Sequence, residues 1–138
     1  MAQKQVVEEI GKAMDRIAEE KGALSLAMLI PNEPETIGGK ASLVISAPWL
    51  DSKSPKEALE VIKNFLQGAL SGNSLSYISR IKVINTTDTF VKAINKAFEV
   101  QDSIVDIQDT QISGAYIKKA FLLISKDLSA SNSTKPIK

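Results

Sequence analysis

Apolar side chains recur at three- and four-residue steps over residues 3–21, where Val6, Val7, Ile10, Ala13, Met14, Ile17 and Ala18 alternate with acidic and basic positions. That spacing predicts an amphipathic helix with one core-facing stripe, and Gly22 follows where such a helix would stop. The period then changes. Residues 23–30 place Leu24, Leu26, Met28 and Ile30 on one face and Ala23, Ser25, Ala27 and Leu29 on the other, the two-residue repeat of a strand. Pro31 closes it. The acidic, turn-rich segment 32–39 then leads to a second strand over 41–47, with Leu43 and Ile45 opposite Ser42, Val44 and Ser46, in an order that suits a wide antiparallel hairpin.

Two strand-turn-helix units follow. After the polar turn 48–54, Ser54-Pro55-Lys56-Glu57 combines a capping box with proline at the first helical position. The helix it opens has the stripe Ala58, Leu59, Ile62, Phe65, Leu66 and Ala69, and Ser71-Gly72-Asn73-Ser74 breaks the chain beyond it. Residues 78–85 predict a third strand, with Ile81 and Val83 alternating against Arg80 and Lys82. A second polar turn, 85–89, puts Thr87 or Asp88 at the cap of a third helix whose Phe90, Val91, Ile94, Ala97 and Phe98 face inward. Fourth and fifth strands, 103–108 and 116–125, join through Ser113-Gly114. The fifth is apolar on both faces over 120–124, as an interior strand requires.

The order α-β-β-α-β-α-β-β predicts one domain over residues 1–128, of α/β to α+β class, with a mixed five-stranded sheet and three helices. Residues 129–138 are small and polar and read as a disordered tail. On this reading the large apolar residues of the first four strands share one face of the sheet. The opposite face is sparser, with Ser25, Ala27, Ser42, Val44, Ser46, Arg80, Lys82 and Lys118, and needs the first helix or a partner to cover it.

Composition removes many chemistries. The chain has 138 residues, 43% hydrophobic and 24% charged, an ordinary balance for a folded domain. Its 17 basic and 16 acidic residues leave a net charge of +1, so no general field gathers nucleic acid or anionic membrane, and neither partner is expected. No cysteine and no histidine occurs, which excludes disulfides, thiolate chemistry, histidine bases and histidine metal ligands. No apolar run approaches the roughly 18 residues needed to span a bilayer, and the expected location is cytoplasmic.

Parallel second and third strands would bring their two polar turns to one sheet edge, the usual place for a ligand in open α/β sheets. The candidate ligand-binding residues there are Trp49, Asp51, Ser54, Asn85, Thr87 and Asp88, joined by Ser52, Thr86 and Thr89. Two carboxylates with hydroxyls suit magnesium and two helix N-termini favour an anion, a combination that fits a phosphorylated or nucleotide-like compound, and helix capping alone selects the same residue types. Gly38-Gly39-Lys40-Ala41-Ser42 fails as a phosphate-binding loop because Pro34 and Ala41 occupy two required positions and a strand follows. Asp102, Asp106 and Asp109 lack the spacing of a calcium loop and suit the blunting of a sheet edge. Arg80, Lys82, Lys118 and Tyr116 lack the aromatic signature of an RNA-reading sheet. No metal site, catalytic residue or cofactor is assigned. The favoured function is a non-enzymatic binding or assembly module that meets a protein partner, or forms a homodimer, through one sheet face, with an uncovered apolar patch centred on Val44, Leu29 and Ile84. The alternative is a small enzyme or ligand-binding domain that uses the cleft between the two turns.

Overall fold

A computed structural model describes residues 2–33, 39–101, 103–112 and 114–128. The first periodic segment forms helix α1 (Ala2–Glu20). The chain then turns at Gly22, whose φ of +139° is open only to glycine without strain. Strands β1 (Leu26–Pro31) and β2 (Ala41–Ser46) make the expected antiparallel hairpin, and the Asn32 N–H donates to the Lys40 carbonyl at 2.9 Å beyond the paired residues. Most of the acidic loop, with Pro34 and Gly38, falls on 34–38, outside the described residues.

The turn after β2 winds into a short helix, α2 (Pro48–Asp51), before α3 (Pro55–Ala69). The capping box forms as read: Glu57 N–H donates to Ser54 Oγ and Ser54 N–H to Glu57 Oε1, both at 3.2 Å. The expected break at 71–74 is instead the start of a further short helix, α4 (Gly72–Tyr77), capped by Ser71. It feeds β3 (Ile78–Val83), which runs parallel to β2. Helix α5 (Thr89–Ala97) then begins at Asp88, whose Oδ1 accepts from the Phe90 N–H at 2.8 Å. Strand β4 (Val105–Ile112) runs past the expected end at 108 and pairs antiparallel with β5 (Ala115–Ser125). Of the turn between them Gly114, at φ +79°, is described, and Ser113 lies outside the described residues, as do Asp102 and the 129–138 tail.

The sheet order is β3-β2-β1-β5-β4, mixed and five-stranded, so β1 is central, β5 is interior, and β3 and β4 are the edges. The predicted class and order of elements hold, with α2 and α4 added. The assignment of faces is corrected. Pairing sets Met28 opposite Val44 and Leu29 opposite Leu43, so alternate residues of β1 join the opposite faces from those expected. Ala27, Leu29, Leu43, Ile45 and Leu123 form one core with α1 and α3. Leu26, Met28, Val44 and Leu122 form a second core with Val91 and Ile94 of α5. Asn95 pins α5 in place, its Nδ2 donating to the Ser25 carbonyl at 2.9 Å and to Ser125 Oγ at 3.0 Å.

The patch expected around Val44, Leu29 and Ile84 is therefore not formed. Leu29 and Val44 lie on opposite faces and both are buried, while Ile84 is half-buried against the α5 core. Helix α1 covers the Leu29 and Leu43 face, and the Val44 face, which the first helix or a partner was expected to cover, is covered by α5. Ala97 is exposed, and Ala93 packs inward instead.

Candidate functional site

Parallel pairing of β2 with β3 does bring the two polar turns together. Asp51, at the end of α2, accepts from the Thr86 N–H at 3.1 Å through Oδ1 and from the Thr86 hydroxyl through Oδ2. Both carboxylate oxygens are thus engaged by one residue of the facing turn. Asn85 turns back on its own loop, its Oδ1 accepting from the N–H of Thr87 at 2.9 Å and from the Thr87 hydroxyl at 2.6 Å. Asp88 and Ser54 cap α5 and α3. These contacts are the ones that turn and cap formation ask of such side chains.

Trp49 is not brought to that cleft. Its indole N–H donates to the carbonyls of Gly22 at 2.8 Å and Ala23 at 3.1 Å, and its ring packs against the core beneath α1. Gly22 and Trp49 form a matched pair, since a Cβ at residue 22 would sit 2.6 Å from Trp49 Cδ1. Among the described residues no group of three or more acidic side chains is placed to hold a metal ion. Asp106 pairs with Lys119 at 3.0 Å. Asp109 accepts the Tyr116 hydroxyl, and that bond, with the nearby carboxylate charge, raises the phenol above its usual value. Arg80 and Lys82 stand on β3, three strands from Lys118 on β5, roughly 14 Å at the usual strand spacing, so these residues form no contiguous basic face.

An open groove lies elsewhere. Two helices packed about 8–10 Å apart cover about four strands spaced near 4.8 Å. Helices α1 and α3 share one face of a five-stranded sheet, which leaves β4 uncovered on that side. The result is an open groove of about 940 Å³ between α1 and the β4–β5 hairpin. Its floor is apolar, made by buried Val7 and Leu123, half-buried Phe121 and Ile104, which is 37% exposed. Lys4, Glu8, Lys12 and Asp15 edge it along α1, and Asp106 and Lys119 edge it along the strands. Lys119 Nζ stands 4.9 Å from the centre of the Phe121 ring. A smaller groove of about 490 Å³ runs between α3 and β3 over Leu59, Leu66 and Ile81. None of the six candidate residues lines either groove.

Gly11 lines the large groove in the middle of α1. A methyl group there would lie 3.7 Å from Ile104 Cδ1 and 3.8 Å from Leu123 Cδ2, which is ordinary contact, so packing does not demand glycine. Glycine within a helix costs about 1 kcal/mol relative to alanine. An isolated glycine in an amphipathic pattern was the one sequence signal for this groove. Ile104 gave none, because whether a strand-flanking isoleucine is covered depends on which helix lies above it.

The opposite flank of α1 is occupied by intramolecular contacts. Glu9 accepts from Ser74 Oγ at 2.6 Å, from the Ser71 N–H at 2.8 Å and from Ser71 Oγ at 3.0 Å. The Ser74 hydroxyl and then the Ser71 N–H hold its carboxyl below the usual carboxylate value. Arg16 lies 5.7 Å from the ring centre of Phe65 on α3. No family model, no curated protein and no solved structure matches this chain. Among the described residues no helix is long and apolar enough to cross a membrane.

Proposed function

We propose that this chain is a non-enzymatic binding or assembly module that meets a protein partner through the part of one sheet face left open beside α1. The observation that carries this reading is the groove of about 940 Å³, with its apolar floor and charged edges. An apolar centre ringed by charged groups is the usual anatomy of a protein-binding surface. Among the described residues the exposed large apolar side chains are Ile104 and Tyr116, and Ile104 lies within this groove. The cleft between the polar turns supports the ligand-binding alternative less well, because Asp51, Asn85 and Asp88 already accept hydrogen bonds from their own turns and helix.

The test compares Ile104→Asp with Arg80→Asp on the far edge of the sheet. Association is measured by sedimentation of the purified chain and by affinity capture. Ile104→Asp is expected to abolish the association seen with the parent chain and to move the thermal midpoint by only a few degrees, since Ile104 is already partly in water. Arg80→Asp is expected to leave association intact. Association that survives Ile104→Asp, or that both variants lose equally, rules the groove out as the interface.

A further inference from the structure

We infer that the occupant of the groove is a second copy of this chain, related by a two-fold axis that sets the two α1 helices antiparallel; this identification rests on the groove being the interface. The groove-lining charges of α1 are Lys4, Glu8, Lys12 and Asp15. Steps of four, four and three residues keep them on one side of the helix. Read from the N-terminus their signs run plus, minus, plus, minus. Read from the other end they run minus, plus, minus, plus. An antiparallel copy therefore sets Lys4 against Asp15 of the second copy and Glu8 against Lys12 of the second copy, and the two-fold repeats both pairs. A parallel copy in the same register sets every charge against its like.

This antisymmetry is what a self-complementary, two-fold interface requires. It also disfavours a strongly acidic or basic partner, because the stripe sums to no net charge. Gly11 lies near the middle of the stripe, where a missing side chain lets two helix backbones approach. Ile104 and Phe121, on the groove floor, supply the apolar area that such a pair would bury. The other flank of α1 carries no such pattern, since Glu9 and Arg16 are turned to Ser71, Ser74 and Phe65.

The experiment is sedimentation velocity over a concentration series on the parent chain, Lys4→Glu, Asp15→Lys and the double variant Lys4→Glu/Asp15→Lys. Lys4 and Asp15 stand about 16 Å apart along one helix, so neither can rescue the other within a chain. Each single reversal puts like charges together twice across the two-fold and is expected to weaken the dimer about tenfold. The double variant is expected to regain parental affinity, and salt is expected to weaken the parental dimer. A dimer that the single reversals leave unchanged, or that the double variant fails to restore, overturns the antiparallel pairing. A parent chain that stays monomeric overturns the second copy as occupant. In that case, capture of another protein that Ile104→Asp abolishes would leave the groove reading standing, and the absence of any such capture would remove both.

Discussion

At Gly22 two independent constraints meet in one residue: a φ of +139°, and an indole ring 2.6 Å from where a Cβ would stand. Gly22→Ala should destabilise the fold by about 2–3 kcal/mol, the sum of backbone strain and a displaced ring. Trp49 emission, as the sole tryptophan, should shift to the red as its N–H loses the Gly22 and Ala23 carbonyls. Denaturant unfolding followed by fluorescence checks both. The sequence placed Gly22 correctly as a helix stop, yet it could not pair that residue with Trp49, because the contact joins positions that no local pattern links. The same limit applied to Asp51. Its residue type announced a turn, and its engagement with Thr86 depended on β2 and β3 lying side by side.

Among the elements, two short helices, α2 and α4, were not found by periodicity, and α4 is the longer of them. Of its six residues, Gly-Asn-Ser-Leu-Ser-Tyr, only Leu75 is a strong helix former, and fewer than two helical turns leave little pattern to read. What secures its start is Glu9 on α1, more than 60 residues earlier. Glu9→Gln should lower the thermal midpoint at neutral pH. The native carboxyl is held below its usual value near 4.5, so its contribution is complete above that value and fades as pH falls through the lowered native one. The gap between variant and parent should therefore close in acid, and melting curves over pH 3–7 (about that range) would show it. A gap that persists at the lowest pH would mean that Glu9 acts through packing alone. Strand existence was legible from the period of apolar positions, helix caps from Ser54-Pro55-Lys56-Glu57 and Asp88, and the β1–β2 hairpin from the order of the two strands and the turn-rich segment between them. The faces were not, because alternation fixes which residues of one strand go together but not which face of the neighbour they join. That choice is made by register, and the pairing of Met28 with Val44 made it.

For the molecule as a whole, the proposed interface would set stability against association at Gly11. Gly11→Ala should stabilise the isolated chain by about 0.5–1 kcal/mol, since the added methyl meets only ordinary contacts and alanine favours the helix. The same methyl stands in the groove and should weaken the association measured by sedimentation. A variant that gains stability without losing association would detach the glycine from the interface. The two sheet edges carry opposite signs, with Arg80 and Lys82 on β3 and Asp106 and Asp109 on β4, and charged edges discourage open-ended strand addition.

The central strand has a further consequence, in the order of synthesis. β1 pairs on one side with β2, its near neighbour in sequence, and on the other with β5, Leu26 lying opposite Ser125. At the usual rate of translation, β5 leaves the ribosome about 5–20 s after β1. Through that interval the edge of β1 that meets β5 keeps its backbone groups unpaired, and α1 waits for Leu123, part of the surface it docks on. The chain is thus obliged to keep its middle strand open until nearly all of the described fold has been made, and that window is where a ribosome-associated chaperone would find it.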